Sequence, residues 1–159
     1  MSDVQCGHEK TLTGLLAALA GANLIYGLGM LESGITMDFG QLVLDNEIAR
    51  LIKFTVAGFS INDETLAVED IARVGSFGDF LSLDSTYKHM REQSMPKLMD
   101  RRVREDWASA GSTDAHTRAT AEARRILETH QPEPLSEAVL EKLRAIIHEA
   151  EVELGVAGA

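Results

Sequence analysis

The residues best suited to chemistry surround a glycine-rich stretch, residues 27 to 34, with the sequence GLGMLESG. Glu32 lies within this stretch and Tyr26 directly precedes it, and carboxylates and aromatic faces attract organic cations through charge and cation–π interaction. His8 lies upstream, and histidine titrates near neutral pH, which suits an acid or a base. The alternatives are a solvated loop acid for Glu32, a packed core aromatic for Tyr26 and a surface histidine for His8.

The glycines of this stretch have two interpretations. Gly27 and Gly29 could let the backbone approach a bound molecule closely, but tight turns also require glycine. Their spacing matches neither the dinucleotide-binding pattern nor a phosphate loop, and the chain has no GxSxG elbow. Gln5 and Asp3 precede the first helix, where they could bind a ligand or only cap the helix.

The elements that position these residues follow from hydrophobic spacing. Residues 9 to 20 carry leucines three and four positions apart, which predicts a helix that Gly21 closes. The short apolar run at residues 23 to 27 suits a strand buried on both faces of a parallel sheet. Residues 27 to 34 would then follow the carboxyl end of that strand, where α/β folds usually bind ligands.

The rest of the chain predicts helices and breaks. A second helix should run over residues 45 to 59 with Asp45 as its N-cap, because its apolar residues form a stripe. Shorter helices should begin at Asn62 or Asp63 and near Ser85. Capping residues and apolar spacing predict two more, from residues 113 to 130 after Ser112 and from Ser136 onwards.

Composition limits the classes of function. The chain has 159 residues, 45% of them hydrophobic and 5% aromatic, and its formal charge is −10. That charge would repel phosphate backbones and anionic lipid, so we expect neither a nucleic acid nor a membrane as partner. The single cysteine, Cys6, excludes an internal disulfide, and no zinc-site spacing is present, so we expect no metal site and a cytoplasmic location.

One strand among five or six helices cannot form a sheet by itself. The chain is therefore either mostly helical or part of an α/β fold whose other strands come from another chain or an oligomer partner. We expect a homo-oligomer.

Three motifs carry a resemblance to a known family. ALAGAN, GMLESG and QLVLDNEI occur in this order within residues 8 to 49, a run that resembles a late-barrel segment of the trimethylamine methyltransferase family. The likeness continues through MDRRVREDWASAGSTD at residues 99 to 114 and HQPEPL at residues 130 to 135. Essentially the whole chain is covered.

The resemblance implies a (β/α)₈ barrel, which typically needs about 250 residues. The chain would therefore be a C-terminal fragment of an α/β fold, mostly α within itself. Residues 1 to 60 would form the late barrel segment and residues 61 to 159 a C-terminal helical extension. The HEKT spelling at residues 8 to 11 is closer to the pyrrolysine-containing enzymes, so we expect an in-frame amber codon shortly upstream of Met1.

The resemblance also implies an activity, the transfer of a methyl group from trimethylamine to the cobalt of a corrinoid. A separate partner protein would carry that cofactor, and this chain would bind none directly. Two alternatives stay open: a pyrrolysine-free enzyme acting on glycine betaine or another quaternary amine, and a non-catalytic helical interaction module. For the enzyme, Glu32 and His8 are the candidate catalytic residues, and the candidates for substrate binding are Tyr26, Gly27, Gly29 and Gln5.

Overall fold

Eight α-helices and one short β-hairpin form the described part of the chain, residues 2 to 156 of a computed structural model. The mostly helical composition predicted from the sequence is confirmed, while the barrel stays a prediction. Contacts divide the chain into two units, Met1–Leu127 and Glu128–Ala159. The elements are α1 Val4–Leu19, β1 Met30–Leu31, β2 Thr36–Met37, α2 Phe39–Ala57, α3 Asp63–Leu66, α4 Val68–Val74, α5 Asp84–His89, α6 Arg104–Ser109, α7 Ala115–Thr129 and α8 Glu137–Glu153.

The first helix begins earlier than predicted because Asp3 caps it. The Asp3 carboxylate accepts a hydrogen bond from the backbone N–H of Cys6 at 3.0 Å. The helix ends as predicted before Gly21, which adopts a left-handed conformation with φ 85°. Of the two residues considered as caps, Asp3 is the cap, and Gln5 lies inside the helix.

The second helix corrects the role predicted for Asp45. Its N-cap is Asp38, whose carboxylate accepts a hydrogen bond from the backbone N–H of Gln41 at 2.5 Å. The helix therefore starts six residues before Asp45, which lies in its interior and is buried. Its end at Ala57, before Gly58, lies two residues short of the predicted end.

α1 packs against α2 at a close approach. A Cβ atom at Gly14 would lie 2.9 Å from Cδ1 of Ile52, so only glycine fits this contact without a shift. Ile48 is buried in the same region of α2. This packing holds the second half of α1 beside the second half of α2.

The strand predicted at residues 23 to 27 is wrong. The segment has no strand pairing, and Leu24 and Tyr26 are exposed over 82% and 83% of their surfaces. A strand requires a neighbour to pair its backbone groups. The hairpin in the described residues pairs β1 only with β2, through Met30 with Met37 and Leu31 with Thr36.

The remaining helices follow the predicted order with one changed cap. Ser112 does not cap α7, because its backbone is left-handed with φ 52°. Asp114 instead accepts the backbone N–H of Thr117 at 2.7 Å. Trp107 lies in the short helix α6, and its indole N–H donates to the carbonyl oxygen of Thr113 at 2.9 Å.

Few apolar side chains are buried in the described residues. Those that are belong to Ile48, Ala119 and Ala123. In the second unit α8 begins after Ser136 as predicted, although the Ser136 side chain makes no capping bond, and its apolar residues are exposed. Across residues 2 to 156 the structure contains no helix with the length and apolar character needed to traverse a lipid bilayer.

Candidate functional site

Two cavities meet at Lys10, which lines both of them. The first, which we call the Glu32 cleft, has a volume of about 460 Å³ and lies between the first turns of α1 and the hairpin. Its residues are Asp3, Gln5, Cys6, Glu9, Lys10, Met30, Leu31, Glu32, Ser33 and Gly34.

The second, the Tyr26 cavity, has a volume of about 370 Å³ and is largely apolar. It lies between α1, α2 and the segment that was predicted as a strand. Tyr26 and Gly27 line it together with Leu24 and Ile25. The same wall includes Asp45, so a buried carboxylate reaches this cavity too.

Glu32 occupies a strained turn between the two strands. Glu32 and Ser33 both have left-handed backbones, with φ 53° and 54°, which costs a residue with a side chain about 1–2 kcal/mol. The Thr36 hydroxyl donates to the Glu32 carboxylate at 2.9 Å. Such strain persists where the surrounding structure fixes the backbone, and it is concentrated at functional sites.

Gly29 lies three residues before Glu32, and neighbouring elements hold its backbone in place. Its φ is 77°, and a Cβ atom there would lie 2.9 Å from Cβ of Leu42 and from Cε of Met37. Its carbonyl oxygen accepts the backbone N–H of Asp38 at 2.9 Å. Its own N–H donates to a carboxylate oxygen of Asp45 at 2.8 Å. Both polar groups of this residue are therefore held by neighbouring elements.

The Asp45 cluster, formed by Lys10, Gly29, Gln41 and Asp45, was not predicted as a site. Asp45 is 5% exposed, and its carboxylate accepts from the ammonium group of Lys10, the Gly29 N–H and, at 2.6 Å, the amide of Gln41. Gln41 is 1% exposed, and its amide oxygen has no donor among the described residues. The sequence feature that could have indicated this cluster is the position of Asp45 among the apolar residues of α2, because a buried charge needs partners.

A second carboxylate of α2 is buried to the same degree but serves another segment. Glu47 is 5% exposed and accepts the backbone N–H groups of Lys97, Leu98 and Met99 at 2.7 to 3.0 Å. It anchors the loop after α5 on α2 and does not line either cavity at Lys10.

The Glu32 cleft is acidic. Asp3, Glu9 and Glu32 line it, against the one cation Lys10, whose charge is already paired with Asp45. The amide of Gln5 donates to Glu9 at 2.9 Å. A cleft with this balance of charge attracts a cation and repels an anion.

Cys6 lies in the same cleft as a neutral thiol. Burial raises the pKa of the Cys6 thiol, the nearby Lys10 ammonium lowers it, and the Asp45 carboxylate raises it. The net shift is upward, so the reactive thiolate is disfavoured near neutral pH. A neutral thiol of this kind behaves as a small apolar side chain.

The structure brings some of the predicted site residues together and separates others. Gln5 and Glu32 line the Glu32 cleft, while Tyr26 and Gly27 line the Tyr26 cavity. His8 is exposed and lines neither cavity. Gly29 is buried behind the turn, in contact with Asp45. Their roles in catalysis and substrate binding stay predictions.

Metal-ligating side chains do not converge in the described residues. No group of three or more histidine, cysteine, aspartate or glutamate side chains among residues 2 to 156 could hold an ion together.

Sequence comparison finds methyltransferases that are similar to nearly the whole chain. Trimethylamine methyltransferase MttB of Desulfitobacterium hafniense is 57% identical over 98% of this chain and 31% of its own length. MttB of Methanosarcina barkeri is 45% identical over 94% of the chain and 30% of its own length. A glycine betaine methyltransferase from another strain of Desulfitobacterium hafniense is 31% identical over 96% of the chain and 32% of its own length.

The chain thus spans about 30% of the length of the curated relatives it matches. The family model described as trimethylamine methyltransferase (MTTB) matches residues 1–155. Because that match covers nearly all of the 159 residues, the chain belongs to the trimethylamine methyltransferase family.

Proposed function

We propose that this chain, within a polypeptide of its relatives' length, takes part in methyl transfer from trimethylamine to the cobalt of a corrinoid held by a separate protein. The observation that carries the proposal is that its relatives differ in how identical they are to this chain. The chain is 57% identical to a trimethylamine methyltransferase but 31% identical to a glycine betaine methyltransferase over a similar length.

The charge of the Glu32 cleft supports a methylated ammonium ion as substrate. In the proposed reaction the bond between nitrogen and one methyl carbon breaks, and that carbon forms a bond to the reduced cobalt. Nitrogen keeps the electron pair of the broken bond, so protonated trimethylamine leaves as dimethylamine. Glu32 would favour binding of the cation by charge, and pairing of Lys10 with Asp45 limits the opposing charge.

The other predicted residues have subsidiary roles in this proposal. Tyr26 and Gly27 would line an apolar space for methyl groups, and Gly29 would hold the turn that carries Glu32. Gln5 would orient Glu9 in the cleft. His8 would act from the surface of α1 as an acid or a base when a partner covers it. The chain itself would bind no cofactor, and the partner would be a corrinoid protein.

A direct assay tests the proposal. The polypeptide containing this segment, with its full upstream coding sequence, would be produced in a host that can decode amber codons as pyrrolysine. It would be mixed with the corrinoid protein in its cobalt(I) state and with either trimethylamine or glycine betaine. Formation of methylated cobalt is followed by absorbance, and dimethylamine is measured as the second product.

We expect methylation of cobalt and formation of equal amounts of dimethylamine with trimethylamine, and neither product with glycine betaine. Turnover of glycine betaine with inert trimethylamine would overturn the substrate. Absence of turnover with either amine, from a folded protein and an active corrinoid protein, would overturn the methyltransferase proposal and leave the non-catalytic module.

A further inference from the structure

One buried carboxylate joins three separate parts of the chain at the base of the candidate site. Asp45 accepts hydrogen bonds from Lys10 on α1, from Gly29 before β1 and from Gln41 one turn earlier on α2. Its side chain is 6% exposed, while that of Lys10 is 23% exposed. The charge is therefore buried together with its partners.

Such an arrangement is a costly way to stabilise a fold. Moving two charges out of water carries a desolvation penalty that the ion pair offsets only when its geometry is good and its other hydrogen bonds are made. Apolar residues of similar volume often stabilise as well or better. The buried pair fixes directions that an apolar contact would leave free, because hydrogen bonds to a carboxylate are directional and strong.

Two hydrogen bonds fix the orientation of the Gly29 peptide. Asp45 holds its N–H at 2.8 Å, and the N–H of Asp38 holds its carbonyl oxygen at 2.9 Å. β1 begins at the next residue, and Glu32 follows three residues after Gly29 in a left-handed turn. Only a two-residue strand lies between the anchored peptide and the carboxylate in the cleft.

We propose that Asp45 is a positioning residue that, with Lys10, fixes the hairpin and thereby places the Glu32 carboxylate in the cleft. Asp45 lines the Tyr26 cavity, but its hydrogen bonds go to Lys10, Gly29 and Gln41, so it acts on Glu32 through Gly29. Lys10 links the same anchor to the first turns of α1, so the two walls of the Glu32 cleft are joined by one ion pair. This inference rests on the proposed function for its effect on turnover, but not for its effect on the hairpin.

The test uses Asp45→Asn in the full-length polypeptide, with Glu47→Gln as a matched control. Both carboxylates lie on α2, both are 5% exposed, and both bind backbone N–H groups. Only Asp45 contacts the segment that leads to Glu32. Each variant is measured for melting temperature, hydrogen exchange of residues 27 to 37, and kcat and KM for trimethylamine.

For Asp45→Asn we expect exchange of residues 27 to 37 to become at least tenfold faster. Because a misplacement of about 1 Å can cost about 100-fold in rate, we expect kcat/KM to fall by about that factor. Glu47→Gln should leave exchange at residues 27 to 37 and kcat unchanged, even where its melting temperature falls equally. Equal exchange in the two variants would overturn the inference.

Lys10→Gln provides a second variant in case Asp45→Asn does not fold. It removes the charge from the pair and keeps a donor, and we expect faster exchange of the same residues. Unchanged exchange in Lys10→Gln would overturn the inference. Where both single variants fold, the double variant should lose no more activity than the worse single variant. Additive losses would overturn the coupling. If the unmodified polypeptide shows no methyl transfer, the proposed function fails, while the exchange data still decide the role of Asp45.

Discussion

Glu47 on α2 binds Leu98 from a loop 51 residues away, with both carboxylate oxygens accepting the Leu98 N–H at 2.9 and 3.0 Å. The same carboxylate accepts the N–H groups of Lys97 and Met99. A single side chain thus satisfies three consecutive backbone donors. The loop is further fixed by Arg118, whose guanidinium donates to the Leu98 carbonyl oxygen at 2.8 Å.

Glu47→Ala should therefore release the loop from α2. Each partly buried N–H left without an acceptor costs about 1–3 kcal/mol, so we expect a marked loss of stability. Hydrogen exchange at residues 97 to 99 in the full-length polypeptide should become much faster. Asn46→Ala is the control, because Asn46 is the exposed neighbour on the same helix. Unchanged exchange in Glu47→Ala would show that the carboxylate does not hold the loop.

Gly29→Ala should damage the protein more than Gly21→Ala. Both glycines are left-handed, with φ 77° and 85°, so alanine costs about 1–2 kcal/mol of backbone strain at either position. At Gly29 the added Cβ would also lie 2.9 Å from Leu42 and Met37, whereas nothing lies within 4 Å at Gly21. Urea unfolding should show the larger loss for Gly29→Ala. Equal losses would mean that the crowding at Gly29 relaxes without cost.

Acid should weaken the start of α2. The backbone N–H of Gln41 and, to a lesser extent, His116 lower the pKa of Asp38. A carboxyl with a folded pKa below its unfolded value of about 4 stabilises the protein above that pH, and this stability disappears as pH falls through the folded pKa. Asp38→Asn keeps a good N-cap without the titration. Its free energy of unfolding should therefore depend less on pH below about pH 4.

The control for this measurement is Asp63→Asn, an exposed aspartate in the first turn of α3. It removes the same charge from a different helix. Urea midpoints of the three proteins are compared from about pH 6 to about pH 2, the range in which carboxyl groups titrate. A pH dependence of Asp38→Asn identical to that of the unmodified protein would contradict the assignment.

The sequence alone predicted the helices better than the site. Helical spacing located α1, α2 and α8 because those patterns are local, and Gly21 marked the end of α1 correctly, whereas α2 ends before Gly58, two residues earlier than predicted. The apolar run at residues 23 to 27 led to a wrong prediction because its composition suits a strand, while strand formation depends on a partner elsewhere. The described residues supply none for it.

Asp45 shows why the site was only partly predicted. Its sequence position suits a cap, and the true cap, Asp38, lies seven residues earlier. The contacts that bury Asp45 come from Lys10, 35 residues away, and from Gly29, 16 residues away. No local pattern encodes them. Glu32, by contrast, was predicted from the chemistry of its carboxylate and Gln5 from its position at the start of the first helix, and the packing of α1 near the hairpin places them in one cleft.

Cys6 should react slowly with alkylating reagents. Burial raises the pKa of its thiol, so the thiolate fraction at pH 8 is lower than for a free cysteine of pKa near 8.5. The rate of alkylation by iodoacetamide should rise with pH and reach half of its maximum at a pH above the free-cysteine pKa of about 8.5. Lys10→Gln removes the charge that lowers this pKa, and we expect still slower alkylation at pH 8. Faster alkylation than free cysteine would contradict the prediction.

The 159-residue chain, produced by itself, should be helical but should self-associate. In the second unit α8 exposes Val139, Leu143, Ile146 and Ile147 at helical spacing, each over 44% or more of its surface. Contiguous exposed apolar surface of this kind promotes association in water. Sedimentation at increasing protein concentration should show a rising average mass, while far-ultraviolet circular dichroism reports helix.

Leu143→Glu should reduce this association because it places a charge in the apolar face of α8, and Glu141→Gln is the control on the same helix. Glu141 is exposed, so its substitution leaves the apolar face unchanged. Removing a negative charge there also lowers electrostatic repulsion slightly in a chain of formal charge −10, so association of the control should not weaken. A sharp, concentration-independent melting transition of a monomeric chain would contradict the prediction, since the exposed apolar residues would then need no partner.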